Sequence, residues 1–401
     1  MNKKKWLRPH HVFVRNLLFL FIYPYSKIRY GLKIEKYSNP QKRPHLILMN
    51  HQTPFDQFFA GMVYPGAVYY VASEDLFSNG ITSKIIKFLV NPIPIQKNTA
   101  DIRAVKTCLR VAREGGTIAI APEGNRTYDG KPCYIKESTA SLARALKLPI
   151  ALLRIEGGYG CEPRWSNVIR KGSVSAQISR VIEPEEYAQM SDSELYGEIV
   201  RELDVRDAES GKKFYHKKSA EFLERALYIC PECNGFCTLE SRGEELSCTA
   251  CGHRVKYTED LTFEKGGEPY RFSTVAEWSD YQKKHLQSLD MSMFADTPIH
   301  TEKVLVREII PYKSRKKIGI AEVELFSEKV KMIFPNETLI LHFSELLGAT
   351  VLGRNKLNLY CQNRTVQFKG EKRFNALKYM NLFYIFKNAD KGEKYGEFLG
   401  I

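Results

Sequence analysis

Apolar runs separated by turn-forming residues predict an α/β domain after residue 44. A continuous apolar run is typical of a buried parallel strand, and apolar residues at spacings of three and four are typical of a helix. The two patterns alternate along the chain, which predicts a mixed or largely parallel sheet covered by helices. The predicted strands are 45–49, 68–72, 92–95, 117–121 and 149–153. Three helices are also predicted. The first is capped by Thr99 and ends before Gly115, the second covers 138–146, and the third begins at 191–193.

The pattern changes to a period of two beyond residue 301. Val323 and Leu325, for example, alternate with glutamates, which predicts antiparallel strands with one face in solvent. Apolar residues at helical spacing follow near the end of the chain, namely Phe374, Leu377, Met380 and Tyr384. Antiparallel strands followed by one helix resemble a small pleckstrin-homology-type barrel, so residues 301–401 are predicted to form a β-rich domain of that kind.

Composition and charge narrow the class of protein. With 43% hydrophobic and 26% charged residues, the chain has the balance of a globular protein rather than of a disordered or collagen-like one. Its 401 residues exceed what one ordinary core holds, so two or three domains are expected. The net charge of +14 is concentrated at the N-terminus, because residues 1–45 hold eleven basic residues and one acidic residue, Glu35.

A basic, apolar segment therefore occupies residues 1–44. Its longest uncharged apolar run, residues 16–26, has 11 residues, whereas a membrane-spanning helix needs about 20. No small-residue cleavage site follows the run, as a secretory signal would require. Basic residues around an apolar run suit a helix that lies on an anionic membrane surface. We expect peripheral binding to the inner face of the membrane from the cytoplasm; the alternative is a helix buried against the next domain.

The first candidate site follows the predicted strand 45–49, in the sequence NHQTPFD of residues 50–56. Thr53 suits a helix N-cap, and Pro54 suits the first helical position. On this interpretation His51 lies just before a helix and Asp56 lies in its first turn, within hydrogen-bond reach. Such a carboxylate would orient the imidazole and leave its other nitrogen as a general base. The alternative is a loop histidine beside an acidic capping residue.

The second candidate site is the turn PEGNRT at residues 122–127, after the predicted strand 117–121. Open α/β sheets bind ligands in loops at the carboxyl ends of their strands. Gly124 permits close approach of the backbone to a ligand, and the guanidinium of Arg126 can hold a phosphate through two hydrogen bonds. The alternative is a surface turn with an exposed arginine.

Together these segments resemble the glycerophospholipid acyltransferases, which acylate glycerol 3-phosphate and lysophosphatidate. The family's motif of His, four residues and Asp is present as His51 and Asp56, and its E-G-x-R-[ST] block is present at 123–127. A later apolar strand that begins with proline matches residues 148–153. The resemblance covers about residues 45–203, together with a basic apolar N-terminus of the kind that these enzymes often use at the membrane.

The resemblance implies a catalytic mechanism without an acyl-enzyme. His51 would take the proton from the acceptor hydroxyl as that hydroxyl attacks an acyl thioester, and Asp56 would orient His51. Backbone N–H groups near the start of the His51 helix would stabilise the oxyanion. The acyl donor would be acyl-CoA or acyl carrier protein, and the acceptor a lysophospholipid.

The resemblance also implies a substrate-binding set. Arg126, helped by Lys97, would hold the acceptor phosphate, and Glu123 would bind the glycerol hydroxyls or orient Arg126. The family usually has an arginine in the block where this chain has Lys97, which supplies a point charge without a fork. Lysophosphatidate is therefore the first choice of acceptor, with glycerol 3-phosphate and other lysolipids left open. The predicted set is Lys97, Glu123, Gly124, Arg126 and Thr127.

Five of the nine cysteines lie within 22 residues. The two C-x-x-C pairs are the arrangement of a zinc ribbon, and four thiolates would hold a structural zinc ion. The alternative is two disulfides, and Cys237 or His253 remain as substitute ligands. The segment 230–251 has a net charge of −3, which disfavours nucleic acid as a partner. The predicted ligands are Cys230, Cys233, Cys248 and Cys251.

These patterns divide the chain into six parts. They are a membrane-surface segment at 1–44, an acyltransferase domain at 45–205, a helical linker at 206–228, a zinc ribbon at 229–258, a second linker at 259–300 and the β-rich domain at 301–401. The leading hypothesis is a lysophospholipid acyltransferase. The alternative is a non-enzymatic adaptor that binds protein or nucleic acid through the ribbon and the C-terminal domain.

Overall fold

The computed structural model describes residues 5–78, 80–96, 101–310 and 314–391. The chain forms two compact units. The first contains the described residues up to Pro163 together with Lys171–Phe214. The second contains Arg164–Arg170 and the residues from Tyr215 to the end of the described chain.

The first unit alternates strands and helices. Its helices are α1 (His10–Tyr30), α2 (Asp56–Val63), α3 (Ile81–Val90), α4 (Ile102–Arg113), α5 (Ser138–Leu146), α6 (Gly158–Cys161), α7 (Pro184–Tyr187) and α8 (Asp192–Leu203). Its strands are β1 (Lys33–Ile34), β2 (Leu46–Met49), β3 (Val68–Ser73), β4 (Ile93–Ile95), β5 (Thr117–Ile120), β6 (Ile150–Glu156) and β7 (Ser175–Ile182).

These strands form one mixed sheet in the order β1-β7-β6-β2-β5-β3-β4. All neighbouring pairs are parallel except β6 and β7, which are antiparallel. The central strands β2 and β5 are buried along their whole length, as their continuous apolar sequences predict. The mixed α/β fold expected from the sequence is present. His51 and Glu123 both follow strands at the centre of this sheet.

Several local expectations in this unit were wrong or fall outside the described residues. Helix α2 begins at Asp56, not near Thr53, because the Asp56 carboxylate accepts backbone N–H groups of residues 52 and 53 and turns the chain there. The predicted cap Thr99 lies outside the described residues, and Asp101 caps α4. The segment 1–44 also contributes strand β1 to the sheet.

The second unit begins with a smaller antiparallel sheet. Its elements are β8 (Leu239–Arg242), β9 (Glu245–Cys248), β10 (Arg254–Tyr257), β11 (Thr262–Lys265), β12 (Glu268–Thr274) and α9 (Val275–Ser288). The strands lie in the order β12-β11-β10-β9-β8. The segment 259–300 is therefore not a linker: Phe263 and Trp278 are buried within it and their rings lie 5.3 Å apart.

The predicted helical linker at 206–228 is not a regular helix either. Within it the structure has short 3₁₀ turns at Asp207–Glu209 and Leu223–Arg225. Side chains such as Phe214 and Leu227 are fully buried, so this segment belongs to the packed cores of the units.

The remainder of the second unit is a seven-stranded antiparallel sheet followed by a helix. Its elements are β13 (His300–Ile310), β14 (Ser314–Leu325), β15 (Lys329–Ile333), β16 (Thr338–His342), β17 (Gly348–Leu352), β18 (Lys356–Tyr360), β19 (Thr365–Lys369) and α10 (Leu377–Lys391). The strand order is β16-β15-β14-β13-β19-β18-β17. The antiparallel strands and the final helix agree with the sequence pattern, although Phe374 lies before the helix rather than in it.

Candidate active site

His51 and Asp56 lie in the turn between β2 and α2. The two side chains are in contact, with His51 Nδ1 2.7 Å from Asp56 Oδ2. The Asp56 side chain is fully buried, whereas 24% of the His51 side chain is exposed. The predicted contact is therefore present, with the histidine on the solvent side of the carboxylate.

Asp56 is held by the turn that it closes. Its Oδ2 accepts the backbone N–H of Gln52 at 2.7 Å, and its Oδ1 accepts the hydroxyl of Thr53 at 2.6 Å. The backbone N–H of Thr53 reaches the same carboxylate at 3.0 Å. These donors fix the direction of the carboxylate toward His51. The N–H groups of Gln52 and Thr53 lie near the start of α2, where the family resemblance implies donors to an oxyanion, but both donate to Asp56.

Glu123 joins two backbone segments of the site. Its side chain is buried, and its oxygens accept the backbone N–H of His51 and of Cys133, each at 2.8 Å. Burial raises the pKa of Glu123 to about 8, against the lowering effect of these two N–H groups and with a further rise from the charge of Asp56. These bonds place Glu123 as a support of the His51 turn, a role that its position in the motif did not indicate.

The loop after β5 is joined directly to the His51 turn. The backbone N–H of Thr127 donates to the carbonyl oxygen of His51 at 3.0 Å. The Thr127 hydroxyl is buried and donates to the carbonyl oxygen of Lys131 at 2.6 Å. Gly124 has a φ of +66°, which favours glycine, and Arg126 is half-buried in the same loop. The predicted residues 123–127 are thus brought to His51, while Lys97 lies outside the described residues.

A glycine-rich turn beneath the site was missed in the sequence. Gln52 Oε1 accepts the backbone N–H of Gly158 at 2.9 Å. The buried carboxylate of Asp207 accepts the N–H groups of Gly157 at 2.7 Å and Gly160 at 2.9 Å. Burial raises the pKa of Asp207 despite these donors. The run of glycines in residues 157–160 after a strand was the available signal, because close backbone packing needs residues without a side chain.

Asn50 attaches the start of the turn to the neighbouring strand. Its side-chain amide donates to the carbonyl oxygen of Ile155 and accepts the N–H of Ile155, both at 2.8 Å. The backbone pairing of β2 with β6 ends at Met49, and these two side-chain hydrogen bonds extend the connection by one residue. The turn that carries His51 is thereby fixed to the strand next to it.

Comparison with known proteins shows what this region is similar to. The model of the Acyltransferase family matches residues 32–155. The first unit therefore contains a region similar to the Acyltransferase family. The matched residues include His51, Asp56 and the loop 123–127.

Two curated relatives cover about half of the chain. The 1-acyl-sn-glycerol-3-phosphate acyltransferase of Bacillus subtilis (strain 168) is 22% identical over 188 residues, which are 46% of this chain and 91% of that protein. The protein of the same name from Limnanthes alba is 22% identical over 217 residues, or 49% of this chain and 76% of its own. The crystal structure of the 1-acyl-sn-glycerophosphate (LPA) acyltransferase from Thermotoga maritima aligns over 48% of this chain and 75% of its own, with 22% identity and a TM-score of 0.39.

Helix α1 packs beside the turn that carries His51. The ring of Phe55, in the turn before α2, lies 5.7 Å from the ring of Tyr25 and 5.5 Å from that of Tyr30. The Tyr30 hydroxyl donates to the buried carboxylate of Glu162 at 2.5 Å, and Arg29 donates to the same oxygen at 3.1 Å. The C-terminal end of α1 is therefore part of the structure around His51.

Much of the surface of α1, together with that of α3, is apolar and exposed. The ring of His10 stacks on that of Phe88 at 4.8 Å, which joins the two helices. Neither helix contains an acidic residue, and Lys84 and Lys87 are exposed on α3. In the part of the chain that the structure describes, no helix is both long and apolar enough to span a membrane. The exposed large apolar residues are Val12, Phe13, Leu17, Leu20, Phe21, Tyr23, Tyr25 and Ile28 on α1 and Ile81, Ile85 and Phe88 on α3; we call them the apolar face.

In the second unit, four cysteine sulfurs converge as the sequence spacing predicted. The Sγ atoms of Cys230, Cys233, Cys248 and Cys251 all lie within 4.8 Å of one another and could hold a metal ion. The Cys230–Cys251 and Cys233–Cys248 sulfur pairs are each 3.7 Å apart. Sulfurs bound tetrahedrally to zinc at about 2.3 Å lie about 3.8 Å from each other, so the donor set fits that ion. Cys237 and His253 are not members of this group.

Proposed function

We propose that this chain transfers a fatty acyl group from an acyl thioester to the hydroxyl of lysophosphatidate or a related lysophospholipid. The observation that carries the proposal is the contact of His51 with a buried, fully oriented Asp56 in the matched acyltransferase region. The named activities of the two curated relatives support the choice of acceptor. The donor is acyl-CoA or acyl carrier protein, both of which present the same thioester.

In the proposed mechanism, His51 is the general base. Because Nδ1 faces Asp56, Nε2 is the nitrogen that takes the proton from the acceptor hydroxyl. The oxygen then attacks the thioester carbonyl, the carbon–sulfur bond breaks, and the thiolate takes the proton back from the imidazolium. Asp56 stabilises the imidazolium while it exists. The reaction needs no covalent acyl-enzyme and no cofactor in the acyltransferase domain.

Arg126 is the proposed ligand of the acceptor phosphate. It is half-buried and directly precedes Thr127, whose backbone N–H donates to His51, which supports a place for Arg126 near the proposed base. A planar guanidinium matches the geometry of a phosphate. Lys97 would add a second positive charge. Glu123 and Thr127 act in this proposal by holding the loop, since their polar atoms bind backbone groups of the site.

The proposed place of action is an anionic membrane surface, bound peripherally from the cytoplasm. The apolar face would enter the headgroup region, and the basic residues of α1 and α3 would meet the lipid charge. Since Tyr25 and Tyr30 also pack around Phe55, the helix that contacts lipid would be the helix that borders the site. A lysophospholipid could then reach His51 without leaving the bilayer surface.

The second unit has an accessory role in this proposal. Zinc bound by the four cysteines would have a closed tetrahedral shell without a position for water or substrate, so its role would be structural. The seven-stranded sheet followed by α10 would be a pleckstrin-homology-like domain.

The deciding experiment measures diacyl product from purified full-length protein, a labelled acyl thioester and a panel of lysolipids. We expect product with lysophosphatidate, and a loss of about 10²–10⁴-fold for His51→Ala with the fold retained. Gln57→Ala is the matched control, because among the residues that the structure describes its side chain bonds only to the carbonyl oxygen of Pro54 beside the site. A folded protein without product from any acceptor would favour the adaptor hypothesis, and near wild-type turnover of His51→Ala would remove His51 from the mechanism.

A further inference from the structure

A buried carboxylate beneath the His51 turn has no role in the mechanism proposed so far. Asp207 begins the 3₁₀ turn Asp207–Glu209 and is only 1% exposed. It lies outside residues 32–155, which the family model matches, so no motif indicates what it does. Its own backbone is fixed, because its carbonyl oxygen accepts the N–H of Ser210 at 3.2 Å and the hydroxyl of Ser210 at 2.6 Å.

Three hydrogen-bond donors converge on the side chain of Asp207. The N–H of Gly157 donates to Oδ1 at 2.7 Å, and the N–H of Gly160 donates to Oδ2 at 2.9 Å. The side-chain amide of Gln52 donates to Oδ1 at 3.4 Å. A carboxylate accepts on both oxygens, whereas an asparagine would direct its NH₂ group at one of these donors. The surroundings therefore require an acid at this position and not merely a polar side chain of the same size.

The carboxylate of Asp207 is costly to bury. Within the described part of the chain, no lysine or arginine forms an ion pair with it. Lys212, whose charge acts on Asp207, donates to Glu156 at 3.4 Å. A buried carboxylate without an ion pair lowers the stability of the fold unless its hydrogen bonds compensate. Such groups are often found at functional sites, where the geometry that they maintain outweighs their cost.

Gln52 connects Asp207 to the turn that carries His51. Its side chain is buried between the two, with Oε1 accepting the N–H of Gly158 at 2.9 Å and Nε2 facing Asp207. Its backbone N–H donates to Asp56 Oδ2 at 2.7 Å, the same oxygen that His51 Nδ1 contacts at 2.7 Å. Two buried carboxylates thus hold Gln52, one through its side chain and the other through its backbone.

This arrangement restricts rotation of the His51 turn. Gln52 directly follows His51, so a rotation of the Gln52 backbone would turn its N–H away from Asp56 and move the imidazole with it. We propose that Asp207 is a positioning residue that, through Gln52, holds the turn in the orientation in which His51 Nδ1 contacts Asp56. The inference rests on the proposed role of His51 as general base. A displacement of about 1 Å at such a base lowers the rate by up to about 10²-fold.

The kinetic test compares Asp207→Asn with the wild type in acyl transfer by the full-length protein. We expect kcat to fall about 10–100-fold and KM to change less than about twofold, because the substitution displaces the base and removes no substrate contact. The acid limb of the profile of kcat/KM against pH should move toward lower pH, since a carboxylate that no longer faces the imidazole stabilises its charged form less.

Asp204→Asn is the matched control for this substitution. Asp204 lies three residues earlier, is exposed and bonds to Arg206, so its variant should keep the wild-type kcat and pH profile. Gln52→Met is the second test variant, because it keeps the shape of the side chain, removes the amide and leaves the two glycine contacts of Asp207 in place. It should show the kinetic changes of Asp207→Asn even where that variant does not fold. A lower melting temperature with wild-type kcat and pH profile in the folded variants would mean a purely structural role and would overturn the proposal.

A spectroscopic readout separates this inference from the proposed reaction. In protein labelled with ¹⁵N-histidine, the Nδ1–H signal of His51 is assigned by its absence in His51→Ala. It should exchange slowly with water in the wild type and in Asp204→Asn, and rapidly in Asp207→Asn and Gln52→Met. Such a pattern without any diacyl product would contradict acyl transfer but support the positioning of His51. An equally slow signal in all variants, or no slow signal in the wild type, would overturn the inference.

Discussion

Asp56 combines two tasks in one carboxylate. It faces His51, and it also accepts two backbone N–H groups and the hydroxyl of Thr53 in the turn that precedes α2. We expect Asp56→Asn to lower acyl transfer by about 10²–10⁴-fold, because an amide cannot stabilise the imidazolium and its NH₂ group faces other donors. Asp101→Asn is the control, since Asp101 also caps a helix through its carboxylate but lies away from His51 in sequence. Equal loss of activity in both variants would contradict the assignment.

Glu123 predicts a dependence of stability on pH. Burial raises its pKa from 4.5 to about 8, so between these values the folded state keeps a proton that the unfolded state has released. Its contribution to the free energy of unfolding must therefore fall as pH rises through this range. We expect urea unfolding at pH 5 and pH 8 to show a smaller difference for Glu123→Gln than for the wild type. Parallel pH profiles would indicate that Glu123 is ionised in the folded protein at neutral pH.

The predictability of the site depended on the type of contact. The spacing of His51 and Asp56 around a turn predicted their contact, because short-range geometry follows from local sequence. The contacts of Glu123 with His51 and of Gln52 with Gly158 join residues far apart in sequence, and no local pattern encodes them. The sequence therefore predicted where the motifs lie, but it did not predict all the contacts that single motif residues make.

The close packing of the glycine-rich turn at residues 157–160 can be tested by adding a side chain at Gly158. A Cβ atom at Gly158 would lie 2.7 Å from Thr53 Cγ2 and 2.9 Å from the Gln52 side chain, whereas one at Gly197 in α8 would meet nothing within 4 Å. We expect Gly158→Ala to destabilise the protein by about 1–3 kcal/mol and to lower activity, because the displaced residues border His51.

Gly197→Ala serves as the matched control for the same substitution. It should stabilise α8 by about 0.5–1 kcal/mol and leave turnover unchanged. Chemical unfolding and initial rates of both variants test the pair. Retained activity and stability in Gly158→Ala would mean that the turn can move without disturbing the site.

Helix α3 predicts a second contact with the membrane besides α1. Phe88 is 66% exposed and Ile85 52% exposed, and each side chain contributes about 1.5–3 kcal/mol when it leaves water. We expect Ile85→Ser and Phe88→Ser each to weaken binding to anionic liposomes about tenfold in a sedimentation assay. Ile340→Ser, a comparably exposed residue of the C-terminal sheet, should have no effect. Unchanged binding of the α3 variants would restrict the membrane contact to α1.

Regular elements were predicted where their pattern was strong. The strands β2 and β5 and the helix α5 were found within one or two residues of the expected bounds, because continuous apolar runs and clear helical spacing leave few alternatives. Strand β7 has an irregular alternation of buried and exposed residues, and it was missed. The segment 259–300 was taken for a linker because its strands are only four and seven residues long and rich in charge.

The four-cysteine group predicts how the whole molecule responds to loss of metal. Between Cys230 and Cys251 few large apolar side chains are available, so bound metal would supply much of the local folding free energy. We expect one zinc ion per chain, and in Cys248→Ser a loss of metal with local destabilisation of the second unit. Acyl transfer should persist at least in part, because the four sulfurs and His51 belong to different units.

Metal content, measured with the rate before and after mild chelation, tests this prediction. Cys361→Ser controls for the loss of a thiol, since Cys361 lies outside the four-sulfur group. A stoichiometric loss of activity that only zinc restores, with the fold intact throughout, would instead identify a catalytic metal.

A short segment of the second unit is synthesised before the first unit is complete. Arg164–Arg170 belong to the second unit although the chain on both sides of them belongs to the first. Trp165 is fully buried there, and its carbonyl oxygen accepts a hydrogen bond from the guanidinium of Arg225. The same guanidinium donates to the carbonyl oxygen of Lys372. At about 5–20 residues per second, the roughly 200 residues between Trp165 and Lys372 take about 10–40 s to translate. We expect the Trp165 ring to stay accessible in the nascent chain for part of that interval, because it packs against Tyr257, which is synthesised later.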